Sequence, residues 1–167
     1  WRATNRPGIA LNFARIAAQC TYYVTAAAAL RRQGEPTFVV PTGNFGDIFA
    51  GEAAHHMGLK LAKLVVATNS NEILARALNF GIYQSGSAQQ TLSPSMDIQV
   101  ASNFERALFE ASGRDSEWLS GAMQNFSQSR ELIIPARVLG TLSMGTYDNE
   151  SMFCAARAAA AALSAAA

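Results

Sequence analysis

The chain has 167 residues, half of them hydrophobic, and its 13 basic and 12 acidic residues give a formal charge of +1. That is enough for one ordinary core, in a single region spanning 1–167, and the interspersed charges leave no footprint for nucleic acid or an anionic membrane. Apolar stretches break well short of the roughly 20 residues that cross a bilayer, and WRATNRPG lacks a signal peptide's layout, so a cytoplasmic, soluble protein is expected.

From Asn12 to Leu30, Phe13, Ile16, Ala17, Cys20, Tyr23, Val24, Ala27 and Leu30 recur at steps of three and four, which predicts a long helix with one apolar face. RRQGEP breaks it, with Gly34 as a stop and Pro36 barring continuation. TFVV, bounded by turn formers, predicts a buried strand, and GDIFAGEAAHHMG a three-turn helix that ends at Gly58. KLVVATN predicts a second strand, and Asn69 with Glu72 reads as a capping box opening a helix through NEILARALNFG. Helices alternating with strands imply an α/β fold, a parallel sheet flanked by helices.

Beyond Gly81, YQSGSAQQTLSPS reads as a long loop. Ser102 and Glu105 suggest a second capping box before a helix that aligns Phe104, Ala107, Leu108 and Ala111. The pattern weakens after Arg114. ELIIPARVL suggests a short strand stopped by Pro135, and TYDNESMFCAARAAA a last helix from near Asp148. Residues 155–167 are an alanine-rich tail that carries little information, and a start at Trp1 without Met suggests a fragment.

The stretch PTGNFGDIFAG, residues 41–51, marks the first strand-to-helix junction. Gly43 and Gly46 can accept positive φ and let backbone N–H groups approach a ligand, while the helix opening near Asp47 offers donors without intrahelical partners. Three or four N–H contacts to an anion, at about 1.5–3 kcal/mol each, would outweigh a helix dipole worth roughly 0.3–2 kcal/mol. The spacing is neither GxGxxG nor GxxxxGK[ST], which disfavours dinucleotides and nucleoside triphosphates. An Asp47 carboxylate suits a phosphate only if it points away. On these residues alone, a tight turn without a ligand remains an equal reading.

NFARIAAQ, VPTGNFGDIFAG, ATNSNEILARAL, TLSPSMDIQVASNFERALFE and, more weakly, YDNES stand in the order of matching segments in the threonine synthase family, in its bacterial and fungal form. The chain resembles that family over most of residues 9–113. The resemblance implies a fold type II pyridoxal-phosphate enzyme, akin to the tryptophan synthase β subunit, that converts O-phosphohomoserine and water to threonine and phosphate. It implies that Gly43, Asn44, Phe45, Gly46 and Asp47 hold the phosphate of pyridoxal 5'-phosphate. It also gives Asn12 and Arg15, one helical turn apart, a role in gripping the substrate's phosphate, although Ala10 stands where the family has serine.

Such an enzyme needs a lysine bonded to its cofactor, which the family carries upstream in an SFKD-like context that nothing in this sequence matches. Lys60 and Lys63 follow the helix that starts near Asp47, which at 1.5 Å per residue carries them about 15 Å or more from the glycine loop. Both are expected to be surface lysines. The chain is therefore read as the middle third of the enzyme, inactive alone. A non-catalytic phosphate-binding module and another fold type II enzyme remain as alternatives.

The other chemically capable residues have plainer readings. Cys20 and Cys154 are distant and lack metal or redox spacing, so buried thiols are expected. His55 and His56 are adjacent, point apart and suit a helix C-terminus rather than a metal. Ser93, Ser95 and Asp97 have no histidine placed to complete a hydrolase triad, so they read as shaping a loop or opening a helix or strand.

Overall fold

The structure, a computed structural model, describes residues 7–144 and 147–151, with side chains described from 13 to 142. In chain order the elements are α1 (Pro7–Leu30), β1 (Thr37–Pro41), α2 (Gly46–His56), β2 (Lys63–Thr68), α3 (Ile73–Phe80) and β3 (Ile82–Gln84). A 3-10 turn at Pro94–Met96 follows, then α4 (Phe104–Ala111), α5 (Ser116–Ser129), β4 (Glu131–Ile133), α6 (Ala136–Met144) and β5 (Tyr147–Ser151).

The main sheet has the order β1-β2-β5, and both pairings are parallel. Leu64, Val65, Val66, Ala67 and Thr68 are all buried. Side chains alternate across a strand, so an unbroken buried run means that β2 is covered on both faces, as a central parallel strand must be. On β1 only Val40 is fully buried while Val39 is 46% exposed, which is the half-covered pattern of an outer strand. The expected α/β architecture is present, with α2 and α3 both packed on β2.

Helix α1 packs against α2, with Gly51 in tight contact with Tyr23. A Cβ there would sit 2.7 Å from Tyr23 Cε1 and 3.0 Å from Leu64 Cδ2. The apolar stripe of α1 is narrower than its sequence suggests. Ile16, Cys20, Tyr23 and Ala27 are buried, whereas Phe13, Ala17, Val24 and Leu30 are exposed.

Several sequence expectations need correction. Neither proposed capping box forms: α3 and α4 begin after Glu72 and Asn103 with no side-chain cap. Asn69 Oδ1 instead accepts from its neighbour's backbone, Asn71 N, at 2.9 Å, a local turn that competes with a cap. The long loop after Gly81 first forms β3, antiparallel to β4. The helix expected from near Asp148 is strand β5 over Tyr147–Ser151, because those residues pair with β2, while its continuation and the alanine-rich tail lie outside the described residues. Cys154 also lies outside them.

Helices α5 and α6 are absent from the sequence reading. In α5 the cap is Asp115, whose Oδ1 accepts from Trp118 N at 2.9 Å, and Trp118, Ala122 and Phe126 at steps of four turn toward the core. Asp115→Ala is expected to lower stability by about 1 kcal/mol, read by chemical denaturation. An unchanged midpoint would show that the cap contributes nothing.

The same hydrophobic core continues into the corner beside α4. The buried Tyr83 ring lies 5.0 Å from Phe104 and 4.8 Å from Phe126 between centroids, and its hydroxyl accepts from Ala101 N at 2.8 Å. Burial pushes this phenol up to about 12. It therefore stays neutral and serves as a fixed hydrogen-bonding post for the segment leading into α4.

Candidate functional site

Both parallel strands β1 and β2 end at the same edge, where ligands of open α/β sheets collect. At this edge Thr42 N extends the ladder by donating to Ala67 O at 2.8 Å, while its buried hydroxyl donates back to Val40 O at 2.6 Å. The chain then turns through Gly43, Asn44 and Phe45 into α2.

Sequence reasoning assigned the positive φ of this turn to the glycines, and that is incorrect. Phe45 takes the left-handed conformation, with φ 66° and ψ 6°, while Gly43 and Gly46 do not. The glycines are needed for space instead. A Cβ on Gly43 would lie 3.1 Å from Ile98 Cδ1 and 3.4 Å from Ser95 O, and one on Gly46 would lie 3.2 Å from both Asn103 Nδ2 and Asn44 Oδ1. Phe45 tolerates the left-handed strain because its ring is fully buried and packs edge-on against Phe104, 5.1 Å between centroids.

At the mouth of α2 the backbone donors divide. Gly46 N donates to Asn44 Oδ1 at 3.1 Å, and Phe49 N begins the helical ladder on Phe45 O. The N–H groups of Asp47 and Ile48 have no acceptor among the described residues. Two orphan donors at a helix start, with the positive end of the dipole behind them, can bind an anion.

Asp47 is turned from this mouth toward α1. The Tyr23 hydroxyl donates to Asp47 O at 3.0 Å and reaches its Oδ1 at 3.4 Å. Burial raises the Asp47 carboxyl above its ordinary range, against the opposing effect of the Tyr23 hydrogen bond. Tyr23 itself is pushed well up by burial first and by the Asp47 charge second. The carboxylate thus faces a neutral phenol, and the condition that it point away from an incoming anion is met.

The residues beyond β2 build the neighbouring wall. Asp97 accepts from Thr91 N at 2.9 Å, Thr91 Oγ1 at 2.7 Å, Asn69 Nδ2 at 2.7 Å and Asn71 Nδ2 at 3.0 Å. Asn71 is buried and ties in Gln89 and Gln99 as well. The Thr91 backbone N–H, followed by its hydroxyl, holds the Asp97 carboxyl below the ordinary carboxylate range. A depressed folded value means that this contribution to stability is present at neutral pH and lost as pH falls through it. Asp97→Asn is accordingly expected to destabilise the protein at pH 7, with the gap from wild type closing below about pH 4. Denaturation midpoints at several pH values read this directly, and a gap that is the same at pH 7 and pH 3 would contradict it. Asp97 therefore shapes the loop, whereas Ser93 precedes the 3-10 turn and Ser95 lies within it.

The remaining candidates are scattered. Arg15 is exposed on α1 and makes no hydrogen bond or ion pair among the described residues, and the Asn12 side chain lies outside them. Lys60 and Lys63 are exposed. Lys63 pairs with Thr37 at the amino end of the sheet, four residue steps, or about 13 Å, from the carboxyl edge. His55 Nδ1 meets Leu59 O at 2.9 Å and His56 Nε2 lies 3.7 Å from Glu52, so the two imidazoles serve different neighbours. No group of three or more metal-ligating side chains occurs among the described residues. Cys20 is buried, and its thiol donates to Ile16 O and Ala50 O.

Sequence reasoning missed Asn103, a residue 1% exposed that bonds the glycine loop across 59 positions of chain. The only local signal was a polar residue inside an apolar helix start, ASNFERAL, which reads equally well as part of a cap.

No protein-family model matches the chain. Among curated proteins it is 47% identical over 128 residues to the threonine synthase of Pseudomonas aeruginosa, covering 74% of this chain and 27% of that protein. Among solved structures it matches a PLP-bound threonine synthase from Brucella melitensis with TM-score 0.77 and 48% identity, over 83% of this chain and 30% of that one. The yeast threonine synthase matches with TM-score 0.78 and 36% identity over the same shares. The chain spans about a quarter of the length of the curated relatives it matches.

The parallel sheet, its helices and these structural likenesses make the fold that of the fold type II pyridoxal-phosphate enzymes. Within that class the proteins it is similar to are threonine synthases. No helix among the described residues is long and apolar enough to cross a membrane.

Proposed function

We propose that the protein to which this chain belongs is a cytoplasmic threonine synthase, converting O-phosphohomoserine and water to threonine and inorganic phosphate. In this reading Gly43, Asn44, Phe45, Gly46 and Asp47 seat the phosphate of pyridoxal 5'-phosphate. The observation that carries it is the pair of orphan N–H groups on Asp47 and Ile48, at the carboxyl edge of the parallel strands, beside glycines that let Ile98, Ser95 and Asn103 pack closely against the turn. These features fit a phosphate group, and the turned-away Asp47 carboxylate removes the main electrostatic objection.

When bound, the cofactor supplies an electron sink for carbanions formed on the substrate. The residues of this chain anchor its phosphate end and fix its orientation. Asn12 and Arg15 are proposed to help grip the substrate's phosphate, an assignment that rests on the resemblance alone. Lys63 stands at the amino end of the sheet and Lys60 is exposed just before it, so this stretch in isolation is proposed to be inactive.

The test is phosphate release from O-phosphohomoserine by the full-length holoenzyme, with threonine formed in equal amount. Elimination from serine or threonine without that release would instead assign another fold type II enzyme. Phosphate binding without either reaction would assign a non-catalytic module.

A further inference from the structure

We propose that Asn103 is the positioning residue of the phosphate loop, holding the Asn44 carbonyl so that the turn keeps the shape that accepts the cofactor's phosphate. This rests on the loop being the phosphate seat.

Two donors of one residue converge on one oxygen. Asn103 N donates to Asn44 O at 3.0 Å and Asn103 Nδ2 donates to the same atom at 3.2 Å. A carbonyl oxygen has two lone pairs, and both are thereby engaged. The peptide unit is planar, so fixing this carbonyl fixes the whole plane between Asn44 and Phe45. That plane leads directly into the left-handed Phe45, the least tolerant point of the turn.

The amide orientation of Asn103 is itself set. Arg106 Nε donates to Asn103 Oδ1 at 3.2 Å, and because a guanidinium only donates, the oxygen must face Arg106 and the NH2 must face Asn44. The next residue, Phe104, holds the Phe45 ring. Backbone and ring of one turn are therefore clamped by two consecutive residues from a segment that sequence places far away. Asn103 Nδ2 also closes the wall beside Gly46, where a Cβ would lie 3.2 Å from it. An asparagine that served only to fill the core would be a poor choice, since its amide must be desolvated and an apolar side chain would fill the same space at less cost.

The test uses the full-length protein and the ratio of its affinities for pyridoxal phosphate and for pyridoxal, which lacks the phosphate. Asn103→Ala is expected to lower that ratio about tenfold or more, the loss of roughly one to two bonds' worth of loop order. Asp115→Ala removes the side-chain cap of α5, on another element, and serves as the destabilised control. It is expected to lower thermal stability while leaving the ratio within about twofold. A ratio unchanged in Asn103→Ala, with stability reduced as in the control, would make Asn103 a packing residue and overturn the proposal.

If Asn103→Ala fails to fold, Arg106→Gln carries the same test by releasing the amide, with an expected fall of about threefold. No fall in that variant would count equally against the proposal. A wild-type protein that does not discriminate the two aldehydes would remove the phosphate reading itself. A ratio that collapses in Gly43→Val but survives in the Asn103 and Arg106 variants would remove only the role given to Asn103.

Discussion

Phe45→Ala is expected to cost about 3–5 kcal/mol of stability, the usual range for deleting a fully buried aromatic ring. The ring has no exposed surface and sits edge-on to Phe104, which in turn contacts Tyr83, so the cavity opens in the middle of a connected aromatic cluster. The backbone adds a second, opposite effect. Phe45 has φ 66°, a conformation that costs a residue with a Cβ about 1–2 kcal/mol. Phe45→Gly loses the same ring but relieves that strain, so it is expected to be more stable than Phe45→Ala by about 1 kcal/mol, reversing the usual preference for alanine. Denaturant titration of the two variants side by side reads the difference. A glycine variant less stable than the alanine variant would mean that the left-handed turn is not retained in solution.

Gly43→Val is expected to weaken binding of pyridoxal phosphate about 100-fold, equivalent to roughly 3 kcal/mol, or the loss of one or two hydrogen bonds to a charged group. The first carbon beyond Cα already meets Ile98 Cδ1 at 3.1 Å, Ser95 O at 3.4 Å and Met96 Cα at 3.5 Å, and two of those three atoms are backbone. A backbone wall cannot rotate aside as a side chain does, so the loop must move instead. Its movement separates the strand end from the helix mouth, where the orphan donors of Asp47 and Ile48 point. Gly43→Ala, which adds the first carbon alone, is expected to lose about tenfold. Cofactor titration with a thermal melt of the apoprotein separates lost binding from lost folding. Full affinity in the valine variant would place the phosphate elsewhere.

The parts of the fold that were legible in the sequence are those fixed by short-range chemistry. TFVV and KLVVAT carry too many β-branched residues between breakers to be anything but strands, although only KLVVAT, from Leu64 on, is the buried strand expected of both, TFVV being an outer strand with Val40 alone fully buried; Gly58 and Gly81 stop their helices with positive φ. Tertiary pairing decided the rest. YDNES reads as the start of a helix until β2 offers it a free edge, and Ile82 to Gln84 read as loop until Glu131 to Ile133 lie beside them. Helix α5 carried a usable signal in Asp115, Trp118, Ala122 and Phe126, but the intervening Ser, Gly and Gln residues dilute its periodicity.

The site divides along the same line. The position of the anion-binding turn follows from glycines between a strand and a helix, and the separation of Lys60 and Lys63 from it follows from helix length. The division of labour inside the turn does not, because it depends on what lies opposite. Gly43 and Gly46 are short of space rather than of φ, since Ile98, Ser95 and Asn103 approach from another part of the chain. Asp47 looks ill placed for a phosphate until Tyr23, 24 residues earlier, is seen to draw it toward α1. Asn103 bonds across 59 residues, a distance over which spacing carries no information.

The most direct measurement is an electron-density map of the full-length protein with pyridoxal phosphate bound. The expected result is phosphate oxygens within about 3.2 Å of the backbone nitrogens of Asp47 and Ile48, with the Asp47 carboxylate still turned to Tyr23. A phosphate seated away from residues 43–48, with those two amides facing solvent, would contradict the account.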